Sequence, residues 1–112
     1  MKFLMLVCTD PDGEPYSPEE DTIEAWVAEG QDRGLRTGGD RLRPPEQAKT
    51  VRKRGDRLLV TDGPFAETRE WIAGYDLLEC ESLEEAVDYA SRHPMARFGR
   101  IEVRAHWPFD EE

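Results

Sequence analysis

The chain has 112 residues, 15 Lys and Arg against 25 Asp and Glu, and a formal net charge of -10 at pH 7. That length holds one domain, expected to span residues 1–112, with a core small enough to gain from cover by a second copy. The acidity disfavours nucleic acid and anionic membrane surfaces as partners, and no stretch approaches the roughly 20 apolar residues of a membrane span.

Residues 2–9 are apolar on both strand faces, with Phe3, Met5 and Val7 on one and Leu4, Leu6 and Cys8 on the other. Such a strand belongs in the middle of a sheet covered on both sides. Asp10-Pro11-Asp12-Gly13 follows at once, so the short run reads as a strand rather than a signal peptide. Ser17-Pro18-Glu19-Glu20 predicts a helix start, with Ser17 as cap, Pro18 in the first helical position and Glu20 closing a capping box. Ile23, Trp26, Val27 and Gly30 then share one helical face, and Gly34 ends the helix.

Leu35 to Leu42 reads as a short strand kinked at Gly38-Gly39. Ala48 to Arg54 and Arg57 to Thr61 form a hairpin around Gly55-Asp56. Asp62-Gly63-Pro64-Phe65 is a dense turn signal, and Ile72 to Glu81 is another strand. Ser82-Leu83-Glu84-Glu85 repeats the capping pattern of the first helix. Leu83, Ala86, Val87 and Ala90 make the apolar face of this second helix, which His93-Pro94 stops. Gly99 to Trp107 is the last strand, ahead of an acidic segment, Pro108 to Glu112.

This order predicts an α+β fold: a ferredoxin-like antiparallel sheet with two helices on one face. The opposite face then needs a cover, and a homodimer packed sheet against sheet is the simplest one. Cys8 and Cys80 are the only cysteines. Both lie in apolar runs and read as small buried hydrophobes in a reducing, cytoplasmic setting.

The run Val60-Thr61-Asp62-Gly63-Pro64-Phe65-Ala66-Glu67-Thr68, followed by Gly74-Tyr75, resembles the DGPF branch of the YCII-related family. The first strand, the Ser-Pro-Glu-Glu start, Thr50-Val51-Arg52 and the closing Ile101-Glu102-Val103-Arg104 are similar to that family as well. The resemblance implies a ferredoxin-like fold of the dimeric α+β barrel type. It also implies a domain largely without assigned activity, with some relatives linked to sigma-factor genes or domains. Other YCII-like proteins are small-molecule enzymes using a His–Asp pair. The only histidines here are His93 and His106, both late in the chain, so that pair is not carried over.

Asp62 reads in two ways. It is a carboxylate at a strand end able to accept a proton or orient a ligand, or a turn device acting with Gly63, Pro64 and Phe65. Glu67, Thr68 and Arg69 read as polar ligand contacts, Arg69 foremost, or as a solvated loop. Tyr75 is a candidate ligand donor or a core residue. Asp76 breaks an apolar strand and needs a partner if buried, with Arg104 one candidate. His93 reads as a helix-end residue and His106 as an edge or interface residue. Arg52, Lys53, Arg54 and Arg57 form one basic cluster on the hairpin, either a solvated edge or a contact for an acidic partner. No metal-ligand spacing and no Gly-rich phosphate loop is present. The expectation is therefore a cytoplasmic homodimer binding a small molecule near the Asp62–Phe65 turn, with no cofactor and tentative acid–base chemistry at Asp62. The alternative is a non-catalytic interaction module linked to transcription regulation.

Overall fold

The computed structural model describes residues 1–63 and 70–112. Six strands run in chain order: β1 (Lys2–Cys8), β2 (Arg36–Arg41), β3 (Lys49–Arg54), β4 (Arg57–Asp62), β5 (Ile72–Glu79) and β6 (Arg100–Ala105). The helices are α1 (Ile23–Asp32), α2 (Leu83–Ser91) and α3 (Met95–Phe98). β2, β5, β1 and β6 form one sheet in that order, all neighbours antiparallel, while β3 and β4 form a separate hairpin. With the hairpin set aside, the chain is two interlocked β–α–β units, the ferredoxin-like plan expected from the sequence. β1 lies inside the sheet, as its two apolar faces require.

Phe3, Met5 and Val7 of β1 and Leu78 of β5 face the helices and pack with Trp26, Leu35, Cys80, Ala86, Tyr89 and Ala90. Both cysteines are free and buried. Trp26 and Tyr89 hold α1 and α2 together. The Trp26 indole N–H donates to the Tyr89 carbonyl at 2.8 Å, and the Tyr89 hydroxyl donates to the Trp26 carbonyl at 2.7 Å. Their rings stack with centroids 4.3 Å apart. Burial, with the Glu29 carboxylate adding to it, pushes the Tyr89 hydroxyl up to about 12. On the surface above, the Arg92 guanidinium makes a two-pronged contact with Glu29, which is also paired with Arg33.

The local expectations divide. The Ser82–Glu85 box forms, with the Glu85 N–H donating to Ser82 Oγ at 3.1 Å. The Ser17–Glu20 stretch makes only a single 3₁₀ turn, Pro18–Glu20, and Ser17 makes no side-chain cap. Asp21 breaks the path in extended conformation, accepting from the Tyr16 hydroxyl and the Ile23 N–H. The long helix therefore starts at Ile23. On α2, Leu83 and Val87 stay exposed while Tyr89 is buried, because Tyr89 turns onto Trp26 and rotates the buried face away from the expected stripe. Pro94 stops α2 as expected, then itself stands at the start of α3.

Gly30 is the place where the two helices and β2 crowd closest. A Cβ there would run into the Tyr89 hydroxyl and stand 2.8 Å from Arg36 Cβ. In an ordinary helix interior Gly→Ala stabilises by about 0.5–1 kcal/mol. Gly30→Ala is expected to do the opposite and destabilise by about 1–3 kcal/mol, because Tyr89 is fully buried and hydrogen-bonded in place. Urea unfolding of the variant beside the wild type reads the sign directly, and a gain in stability would mean that the Tyr89 ring has room to move.

Candidate functional site

Between the first turn of α1 and the strand ends lies a cleft of about 490 Å³. Val7, Ile23, Trp26, Val27 and Ala73 make its apolar walls, and Arg36, Asp76 and His93 bring polar groups to it. Asp76 and His93 are the buried polar residues of the described chain, each 7% exposed.

Asp76 points to the helix side of β5, alternating with Tyr75, which the pleat turns to the other face. Its partner is Arg36, whose Nε donates to Asp76 Oδ1 at 2.7 Å; Arg104, the partner weighed from the sequence, lies on β6 opposite Leu4 and is exposed. Simple alternation along β2 would turn Arg36 away from the side that Gly39 faces. An irregularity in register between Arg36 and Gly38 reverses it onto the cleft, as bulges do. Gly39 leaves the space the pair needs, since a Cβ there would collide with Asp76 Oδ1 and stand 2.9 Å from the Arg36 guanidinium.

His93 follows α2, and its ring meets Trp26 edge to face with centroids 4.7 Å apart. Its Nδ1 accepts the Met95 N–H at 3.0 Å, which leaves the ring proton of the neutral form on Nε2. Burial lowers the His93 pKa below the usual 6.5, opposed by the Asp76 and Asp21 carboxylates and assisted by Arg36. No buried side-chain nitrogen or oxygen among the described residues lacks a hydrogen bond. Neither Nε2 of His93 nor Oδ2 of Asp76 is hydrogen-bonded within the described chain, and both residues line the cleft. The floor thus offers one donor, Nε2–H, and one acceptor, Oδ2, between apolar walls.

A second cleft of about 570 Å³ shares His93, Trp26 and Pro94 with the first and opens on the other side of α1. Apart from Glu20, its charged groups are paired, Arg92 with Glu29 and Asp88 and Arg97 with Glu14. Among the described residues no group of three or more His, Cys, Asp and Glu comes together as a metal site. Among the described residues no helix is long and apolar enough to cross a membrane.

The residues singled out in the sequence scatter. Tyr75 borders the cleft, with its side chain turned to the opposite face of β5 from Asp76. Asp62 ends β4 with its side chain 83% exposed and paired with Lys49, its register partner across the hairpin. Gly63 adopts the positive φ of a turn and donates its N–H to the Ala48 carbonyl. Pro64, Phe65, Glu67, Thr68 and Arg69 lie outside the described residues. His106 sits exposed just past β6. The structure adds Arg36 and His93 to the site. Asp76 carried a legible signal, a charge inside an apolar strand, whereas Arg36 and His93 carried none.

The family model for the YCII-related domain matches residues 1–110. The chain belongs to the YCII-related family. An uncharacterized protein of Rhizobium meliloti (strain 1021) is 48% identical over 50 residues, which is 45% of this chain and 40% of that protein. The match thus spans less than half the length of that relative. Among solved structures, a 5-chloro-2-hydroxyhydroquinone dehydrochlorinase from Burkholderia phenoliruptrix AC1100, in complex with 2,5-dihydroxybenzoquinone, aligns over the whole of both chains at 15% identity and a TM-score of 0.47.

In this YCII-related domain a neutral buried His93 ties stability to pH. The unfolded chain takes up the His93 proton near 6.5, the folded chain only at lower pH. The contribution is therefore complete above about pH 6.5 and is lost as pH falls toward the folded value. The melting temperature is expected to drop as the pH falls below about 6.5, and less steeply in His93→Gln, which can still accept from Met95 N–H. Parallel slopes in the two proteins would place the titrating group elsewhere.

Proposed function

We propose that this YCII-related domain binds a small polar molecule in the Asp76–His93 cleft and acts on it by cofactor-free acid–base chemistry. The observation that carries this is that a buried imidazole and a buried carboxylate, each with one atom not hydrogen-bonded within the described chain, line a single cleft with apolar walls. His93 Nε2–H would donate to a ligand oxygen that gains negative charge, as a neutral imidazole does when its own pKa is held down. Asp76 Oδ2 would accept a proton from the same ligand. Arg36 keeps the Asp76 carboxylate oriented and lowers the cost of its burial. The ligand class is a small molecule presenting a hydroxyl or acidic C–H beside a carbonyl-type oxygen. This reading places the site away from the Asp62–Phe65 turn, because the Asp62 carboxylate is turned to solvent and Lys49.

The interaction-module reading is favoured by one separate feature. The hairpin exposes Val51, Leu58 and Val60 beside its basic side chains.

A set of small hydroxy-carbonyl compounds, followed by two-dimensional amide NMR, tests the enzyme-like reading. Binders are expected to shift the signals of residues 73–76 and of His93 together. The same compounds should bind about tenfold or more weakly to Asp76→Asn and to His93→Phe, each variant having lost one hydrogen bond to the ligand. Equal binding to both variants, or shifts confined to other regions, would remove the cleft as the binding site.

A further inference from the structure

The β3–β4 hairpin does not pack into the body of the protein. Among the described residues, its two strands pack substantially only on each other. The chain has a radius of gyration of 16.3 Å, where a compact domain of this length has about 13 Å. Val51 and Val60 lie directly opposite each other, as do Lys53 and Leu58, so these four share one hairpin face. Val51 is 65%, Leu58 65% and Val60 55% exposed. Arg52, Arg54 and Arg57 surround this stripe from the other face. The hairpin carries five cations, Lys49 included, against Asp56 and Asp62, although the chain as a whole stands at -10. It is a basic arm with an apolar stripe on an acidic body.

The opposite end of the sheet carries the complement. Just beyond β6, Trp107 is 76% exposed and Phe109 fully exposed. The segment is turned back on itself, with the Trp107 indole N–H donating to the Glu111 carbonyl at 2.8 Å and the Glu111 N–H to the Pro108 carbonyl at 3.1 Å. Asp110, Glu111 and Glu112 follow the two aromatic rings. This is an aromatic and acidic patch where the hairpin is aliphatic and basic.

The two patches cannot meet within one chain. The arm leaves the sheet beside Thr9, where Leu42 bonds to Ala73 and Trp71 to Thr9. The 107–112 segment leaves beside Lys2, where the His106 N–H donates to the Lys2 carbonyl. The length of β1, about 20 Å or more, separates them. A two-fold axis running across the strands exchanges the ends of two sheets, so it brings each arm to the other copy's 107–112 segment. The contact is then made twice and closes on itself.

We propose that the β3–β4 hairpin is a dimerisation arm that docks on the Trp107–Glu112 segment of a second copy. The aliphatic stripe covers Trp107 and Phe109, and the arm cations meet Asp110, Glu111 and Glu112. Oppositely charged patches fix the pairing and its orientation.

Sedimentation velocity on the full chain tests this with two charge-reversed proteins. One carries Lys53→Glu and Arg54→Glu on the arm, the other Asp110→Lys and Glu112→Lys. All four positions are exposed, so both proteins keep their fold, checked by an unchanged far-ultraviolet circular dichroism spectrum. The wild type is expected to sediment as a dimer that weakens with added salt. Each reversed protein alone should dimerise about tenfold or more weakly. An equimolar mixture of the two should regain the dimer, because both contacts are complementary again in the mixed pair. A monomeric wild type, reversed proteins that dimerise as tightly as the wild type, or a mixture that stays monomeric would each overturn the proposal.

Discussion

The reciprocal clasp between Trp26 and Tyr89 is the contact on which the rest of this domain depends. Two aromatic side chains each donate a hydrogen bond to the other's main chain while their rings stack face to face. Neither polar atom is left without a partner in the core, so large apolar area is buried without the cost of an orphaned donor. The clasp sets the separation of the two long helices over the sheet. That separation demands Gly30 at the crossing, where no Cβ fits. It also presents Trp26 to the edge of His93. A helix–helix contact thus becomes one wall of the cleft.

The cleft follows from that geometry and from one local irregularity. A carboxylate in the middle of a sheet is tolerated because the register shift in β2 swings Arg36 round to meet it. Gly39 keeps the space open. His93 is held from the other side by an N–H of the next helix, which fixes its proton on the nitrogen facing the cavity. Burial favours the neutral ring, while the Asp76 charge opposes that tendency without reversing it. The outcome is a donor and an acceptor lining one cleft, each oriented by a contact within the protein itself, which is the preorganisation a binding site requires.

The same chain separates its charge. Most of the surface is acidic, while the cations concentrate on a hairpin inserted between β2 and β5. A two-residue turn with Gly55 at φ 60° closes the arm, the geometry that matches the twist of a hairpin. Val51, Leu58 and Val60 alternate onto one face, with no helix of the described residues packed substantially against the hairpin. A stripe of this kind on an otherwise polar protein marks a surface built for contact, and the aromatic segment at the far end of the sheet is its chemical complement.

Much of the fold was legible in the sequence because the signals were periodic and local. The doubly apolar β1, the hairpin around Gly55-Asp56, the Ser82–Glu85 cap and the stop at Pro94 each rest on a few neighbouring residues. The Ser17 start failed because the Asp21 carboxylate bonds to Tyr16 and to the Ile23 N–H and holds the chain extended. The α2 stripe was misplaced because Tyr89 answers to Trp26, 63 residues away, rather than to its own helix. The site was only part legible. Asp76 stood out as a charge in an apolar strand, and Tyr75 was placed beside it. Arg36 was hidden because a shift of register inverts which side of a strand a residue faces. His93 was hidden because a helix-end histidine looks the same in sequence whether it meets water or a cavity. Short-range chemistry was therefore written in the order of the residues, whereas the donor–acceptor pair exists only once strand register and helix spacing bring distant side chains to one cleft.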